Sequence, residues 1–487
     1  MANYDIQIQP GQTPFTLSIR NLLRWKGIAK TDLHAYETTA CLLITEGAEH
    51  DITDDAGNTL LIRAAMYGLK RLVSALLENG IKVDIVNNHE RTALTYAAEE
   101  GHEEIVALLL THGASPNIVA LSGDTALIYA TQKGFEKIVL LLLRKGAEVD
   151  VVNDDGRTAL TYASGNGHEA MVALLLQYRA DPDLLGNFGE TALTSATRAG
   201  HEATVRLLLR NKADPNILAT FDGTPLIAAI NNGDEKMVRL LLMNKECKAS
   251  PDLVDLGNDT PLMMAITGGH DEIVDLLIEA GAKLEVANCE GHTALTFAAW
   301  HGRRRVVSRL LEAGANPNVL TRGGENPLFI VALQGYESIL ELLLASRANP
   351  NITTTVGETA LMIAATLGHD NIVRLLIGAR PNLDHAGWSG CTALSRAARH
   401  GHETIVHQLL LQGANPNKSN QSGQTPLFWA ALKGYEEIVH MLLTNGANPD
   451  IVDNEGYTPL QIATDHNHDR VVKVLLDQVT KDLARLF

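Results

Sequence analysis

The chain is poor in aromatic residues: Phe, Trp and Tyr make up 5% of its 487 residues, although 45% are hydrophobic. A core short of rings must be built from Leu, Ala, Val and Ile, which suits small helices packed closely in a stack. Cysteine is scarce too. Cys41, Cys247, Cys289 and Cys391 are far apart in sequence and form no CxxC pair, which argues against a disulfide framework and for a reducing compartment. No apolar run approaches the length of a membrane span. The opening MANYDIQIQPGQTPFTLSIR lacks a basic run followed by an apolar core. Neither a signal peptide nor membrane insertion is expected. Positive charge is in deficit, with 40 Lys and Arg against 57 Asp and Glu, for a net charge of −17. Such a surface repels phosphate backbones and anionic lipid, so nucleic acid is a poor partner. GxxxxGK[ST], GxSxG and HExxH are all missing. The expectation is a cytoplasmic protein that is not an enzyme, has no cofactor, and is monomeric when alone.

What the chain does have is one unit, repeated. In Gly423–Asp450, GQTPLFWAALKGYEEIVHMLLTNGANPD, Thr425 offers a capping hydroxyl and Pro426 fits a first helical turn. Leu427, Ala430 and Ala431 follow at helical spacing, Gly434 interrupts, and Glu436 opens a second helix through Ile438, Val439, Leu442 and Leu443. Gly446 stands where a helix end needs a left-handed residue. The threonine slot recurs every 33 residues, at Thr59, Thr92, Thr125, Thr158, Thr191 and Thr224, then at Thr260, Thr293, Asn326, Thr359, Thr392, Thr425 and Thr458. The single irregular step, from Thr224 to Thr260, is 36 residues and places three extra residues at Glu246-Cys247-Lys248. Those three are expected either to vary a loop harmlessly or to mark a bend.

A turn plus two antiparallel helices at period 33 resembles the ankyrin repeat. The resemblance implies an all-α fold, an ankyrin-repeat α-solenoid of helix–turn–helix repeats with β-hairpin or turn fingers, wound as an elongated curved superhelix. It divides the chain into a degenerate capping region, 1–52, repeats 1–6 over 53–252, and repeats 7–13 over 253–487 with an extended C-terminal capping helix. All would form one continuous solenoid. Within the cap, Pro14–Trp25 reads as an amphipathic helix with Phe15, Ile19, Leu22 and Leu23 on one side, covering the first apolar face, or else as part of a basic docking helix with Arg20, Arg24, Lys26 and Lys30. At the other end Val479, Leu483, Leu486 and Phe487 are expected to complete the core.

Histidine invites a metal hypothesis, since there are 18. Seven of them, His102, His168, His201, His270, His369, His402 and His468, share one slot, directly after the residue between the two helices. Spread one per repeat, they cannot converge on one ion, and in the ankyrin family this histidine is structural. Tyr96, Tyr129, Tyr162, Phe297 and Trp429, four after the threonine, are expected to be core. The family's TPLH motif is altered: its histidine slot holds Thr95, Thr161, Thr194 and Thr296, or Ile128, Phe329 and Phe428. The helix-ending glycine is replaced by Arg179, Lys212, Lys245, Arg347 and Arg380, which predicts local softness if the left-handed conformation is kept. Arg303-Arg304-Arg305 opposes the helix dipole where other repeats place acids. An ion ladder to Asp271 and Glu272 on one side and Glu337 on the other is expected, or else a landing site for an acidic partner.

The family resemblance implies that a partner protein binds along the concave side, through turn tips and the two residues before the inter-helix glycine. On this chain the candidates are Trp300, His301, Leu333, Gln334, Leu367, Arg399, His400, Leu432 and Lys433, with Phe188, Phe221 and Trp388 at turn tips. Trp300, Leu333, Leu367 and Leu432 read as an apolar row in equivalent places. The function implied is a scaffold, adaptor or assembly factor, or alternatively an inhibitor or chaperone-like subunit of one enzyme.

Overall fold

A computed structural model describes residues 33–45, 53–186, 189–219 and 223–486. The expected amphipathic helix at 14–25 lies outside them, as do Phe487 and the side chains of Val479, Leu483 and Leu486. Among the described residues there are 27 helices and no strand. The all-α repeat architecture is as the sequence implied.

The chain divides into two compact units, Met1–Leu253 and Val254–Phe487. In the first, a helix at Leu33–Thr45 precedes repeats 1–6; the second carries repeats 7–13 and ends in the long helix Asp469–Leu486. Within each unit, first helices pack on neighbouring first helices and second helices on second. The Leu33–Thr45 helix docks on the second helix of repeat 1. Its Ala40 and Ile44 are buried, and Glu37 Oε1 accepts the Arg71 N–H at 2.7 Å. That carboxylate satisfies a free N–H at a helix start and complements its dipole.

Each threonine of the 33-residue series is the N-cap of a first helix and has extended backbone. Thr92 Oγ1 accepts the Thr95 N–H at 3.2 Å, and Asn326 Oδ1 does the same for Phe329 at 2.8 Å. Thr293 departs. Its hydroxyl has no partner, and Thr296 Oγ1 instead accepts the Thr293 N–H at 2.8 Å. Where the TPLH histidine is replaced by a hydroxyl, that hydroxyl bonds back to the cap. Thr161 accepts the Thr158 N–H at 2.6 Å and donates to the Thr158 carbonyl at 2.8 Å. The core behind these caps is aliphatic, for example Leu94, Ala97, Ile105, Val106 and Leu109 in repeat 2, all essentially inaccessible.

Three kinds of tie fasten neighbouring repeats within each unit, not all of them at every junction. At the turn tips, one backbone bond joins successive fingers, as from the Leu121 N–H to the His89 carbonyl at 3.1 Å. The fingers are turns, not hairpins: the described residues contain only two isolated bridges, Thr53 with Thr59 and Ala219 with Gly223. A second tie is a side-chain ladder. Asn117 Oδ1 accepts the Glu148 N–H at 2.9 Å, Asp150 the Asp181 N–H at 3.1 Å, and Asp183 the Asp214 N–H at 2.8 Å. In the second unit Asn318, Asn351, Asp384 and Asn417 repeat the bond at 2.7–2.8 Å. The third tie is the histidine slot. His201 Nε2 donates to the Gly165 carbonyl at 3.0 Å and His468 Nε2 to the Leu432 carbonyl at 3.1 Å, so these rings are structural.

The extra residues after Lys245 are absorbed in the loop. Asn244 Oδ1 turns the chain by accepting the N–H groups of Glu246 and Cys247, both at 2.9 Å. The ladder bond survives, now between Asn216 Oδ1 and the Ser250 N–H at 2.7 Å. Lys245 consequently has no left-handed conformation. Arg179, Lys212, Arg347 and Arg380 do, with φ of 67°, 66°, 64° and 54°.

The arginine run forms half of the expected ladder. Arg305 meets Asp271, Glu272 and Asp275 at 3.5, 2.9 and 2.7 Å, and Arg309 meets Asp275 at 2.7 Å. Glu337 plays no part in it and accepts a bond from Asn371 at 3.0 Å. Arg303 stands at the N-cap position of its helix without a side-chain capping bond and lays its guanidinium over Gly269, in the place other repeats give to histidine.

Candidate partner-binding surface

The turn tips and the first helices of each unit share one face. The residue before each capping threonine lies at the tip, the residue four after it projects from the first helix turn, and the residues seven and eight after it end that helix. Cap and helix together fix where these side chains point.

The aromatic slot is the main correction to the sequence reading. Only Tyr96 and Tyr129 are buried, and Tyr162, Phe297 and Trp429 are partly exposed. Tyr162, Phe297 and Trp429 line the face rather than the core, while the Tyr96 and Tyr162 hydroxyls are bonded to the fingers. Asn87 Nδ2 donates to the Tyr96 hydroxyl at 3.0 Å and Asn153 Nδ2 to the Tyr162 hydroxyl at 3.1 Å. Arginines lie on these rings. The Arg91 guanidinium is 3.9 Å from the Tyr96 centroid and 4.3 Å from that of Tyr129, and it is ion-paired with Glu99. Arg399 lies 4.3 Å from the Trp429 ring. The tyrosine stacks were legible only as Arg five before Tyr in two repeats 66 residues apart, at Arg91 and Tyr96 and at Arg157 and Tyr162.

The expected residues fall in three groups. Trp300 and Leu367 are each 44% exposed and Trp388 is 70% exposed, in the second unit. His301, Gln334, Arg399, His400 and Lys433 are exposed beside the helix ends, and Leu333 and Leu432 are half-buried. Leu367 stands one position later in its repeat than Trp300, Leu333 and Leu432, so the four do not form a single row. Phe188 and Phe221 lie outside the described residues.

Two hollows open on this face of the second unit. One, about 370 Å³, is lined by Glu290, His292, Phe297, Trp300, His301 and Glu325. The rings in it touch: His292 meets Phe297 edge-on at 5.5 Å between centroids, and Phe297 lies 6.0 Å from His301. The other, about 460 Å³, includes Arg396, Arg399, His400, Gln424 and Trp429 among its walls. Arg396 there is paired with Glu358 at 2.5 Å. Burial, and then the neighbouring Arg399, pushes the His400 imidazole below its ordinary pKa and keeps it neutral near pH 7. The first hollow is acidic and aromatic, and the second is basic.

Among the described residues no group of three or more His, Cys, Asp or Glu is placed to hold a metal, and no helix is long and apolar enough to cross a membrane. The four cysteines are unpaired.

A family model described as ankyrin repeats (3 copies) matches residues 32–120, 115–185, 178–253, 226–321, 328–420 and 394–484. A second, ankyrin repeats (many copies), matches 305–344. Among curated proteins none matches the chain. Family models that cover nearly the whole length, together with thirteen capped helix pairs at the family's period, leave one assignment: the chain belongs to the ankyrin repeat family.

Proposed function

We propose that the protein is a non-enzymatic scaffold, adaptor or assembly factor that holds a partner protein along the finger and first-helix face of repeats 8–12. The ankyrin family is a protein–protein interaction module, and specificity in such modules resides in surface positions rather than in the fold. The observation that carries the reading is the exposure of Trp300, Leu367 and Trp388 on that face, beside the charged Arg399 and Lys433. Large apolar side chains with a polar rim mark interaction surfaces, and tryptophan and arginine are the usual anchors. Half-buried Leu333 and Leu432 would serve as the floor. Tyrosine and arginine side chains in repeats 2–4 stack on one another, Arg91 on Tyr96 and Tyr129 and Arg157 on Tyr162.

The test is affinity purification with mass spectrometry on the wild type and on Trp300→Ala combined with Trp388→Ala, both checked for unchanged helical content. Loss of particular partners from the variant supports the reading; an unchanged set of partners removes this face from consideration. Recovery of one stoichiometric enzyme, with its activity suppressed, would replace the scaffold by an inhibitory subunit.

A further inference from the structure

Repeat 2 displays what this register of the face can hold. Arg91, one residue before the cap Thr92, is sandwiched by Tyr96 and Tyr129 and closed by the Glu99 carboxylate. Repeat 8 keeps one ring wall of this kind, has Ile330 in the place of Tyr129, and carries no lysine or arginine in the hollow; its His292 lies 3.8 Å from the Glu290 carboxylate. His292 stands where Arg91 does, Phe297 where Tyr96 does and Trp300 where Glu99 does, while Glu290 and Glu325 supply the carboxylates. None of the six residues around this hollow of about 370 Å³ is Lys or Arg. The nearest arginine in the adjoining finger, Arg322, meets Glu290 only through its backbone N–H, at 2.9 Å from the Glu290 carbonyl, and does not line the hollow.

Aromatic faces attract cations through the ring quadrupole, and two carboxylates at the rim add a Coulombic pull that grows as a ligand displaces water. We infer that this hollow takes the lysine or arginine side chain of a partner segment lying along the face, held against the Phe297 and Trp300 rings with Glu290 and Glu325 at the rim. The inference rests on the groove reading above and names the partner's chemistry at one point of it. A basic anchor also suits the chain's net charge of −17, which favours encounter with cationic segments.

The test is peptide display against the full-length chain, using randomised twelve-residue peptides, with the double variant Glu290→Gln and Glu325→Gln selected in parallel. The expected result is one position strongly enriched in Lys or Arg with the wild type, and loss of that enrichment with the double variant. A selected peptide should bind about tenfold more weakly when its basic residue becomes norleucine, and should gain nothing from the wild-type carboxylates after that change. Trp300→Ala should weaken the basic peptide to a similar degree. Melting curves of all variants should coincide, since these side chains are exposed or at the rim. Wild-type selection without a basic position, or basic enrichment that persists in the double variant, overturns the cation pocket while leaving the groove. If the wild type retains no peptide at all, the groove reading fails and takes the pocket with it.

Discussion

The His402 ring lies across Gly368. Its Nε2 donates to the Thr366 carbonyl at 3.0 Å, and a Cβ placed on Gly368, whose φ is 79°, would stand 2.6 Å from the ring. The same overlay occurs at Gly68 with His102, Gly167 with His201 and Gly434 with His468, and with a Tyr435 ring over Gly401. The glycine is required twice, by its left-handed backbone and by the neighbour resting on it. Gly368→Ala should therefore cost about 2–4 kcal/mol, summing a left-handed penalty and a clash. Gly413 has φ 87° but nothing near its missing side chain, so Gly413→Ala should cost only about 1 kcal/mol. Urea denaturation of both variants, with amide exchange of the Ala360–Leu367 helix as the local readout, makes the comparison. Equal losses would show that the histidine overlay contributes nothing.

Arg347 holds a left-handed turn at φ 64° where most repeats have glycine, in the same open setting. Arg347→Gly should remove about 1 kcal/mol of backbone strain, less a few tenths for the lost cation at a helix end. Amides in repeat 9 should exchange more slowly as a result. Lys245→Gly is the control, because the extra residues give that position another conformation. A gain at Lys245 as large as that at Arg347 would contradict the strain argument.

Asp54 sits in the first finger with its side chain only 5% exposed, ion-paired with Arg63 and bonded to the Asn58 side chain at 2.9 Å. Burial pushes its carboxyl up, but bonds from Asn58 and Arg63 outweigh that and hold it below the usual range. A depressed folded pKa means stability that is present above the unfolded value near 3.9 and lost as pH falls through the folded one. Asp54→Asn should destabilise repeat 1 by about 1–3 kcal/mol at pH 7. The gap to wild type should narrow below about pH 4. A pH-independent gap would mean that the charge is irrelevant.

Asp150 and Asp183 behave oppositely. Burial raises both carboxyls, opposed by the backbone N–H each accepts and reinforced by the neighbouring carboxylates Asp181 and Asp214. Here the folded pKa lies above the unfolded one, so the favourable contribution is complete at low pH and disappears as pH rises through the folded value. Asparagine keeps the accepting oxygen, as Asn117 and Asn351 show in equivalent places. Asp150→Asn with Asp183→Asn should raise the melting midpoint by about 1–2 °C at pH 7 and leave it unchanged near pH 3. A lower midpoint at pH 7 would refute this.

Much of the fold was legible because one physical requirement recurs. A side-chain acceptor at a helix start satisfies a free N–H, and the thirteen Thr or Asn caps mark the start of each first helix in a single letter. The seven histidines were legible as structural because they are one per repeat. The ladder of Asn and Asp also has a 33-residue signature, from Asp84 to Asn117, Asp150 and Asp183, but its partner lies 31 residues on and is only a backbone N–H, which sequence does not mark. The exposure of Phe297 and Trp429 was hidden for a different reason. Hydrophobicity says that a ring avoids water, not which of two surfaces of a short helix it shields. Arg91 on Tyr96 could have been suspected from their fixed spacing, whereas the matching absence of a cation at His292 becomes informative only once the finger and helix are brought together.

The loop that takes three additional residues while Asn216 still reaches the Ser250 N–H has a practical consequence. Spare contour is stored there without loss of that bond, so Cys247 in that loop, once the exposed Cys289 is replaced by Ser, is a suitable handle for a fluorophore or spin label. A probe attached at that thiol would report on the neighbouring repeats from a position whose own register is elastic.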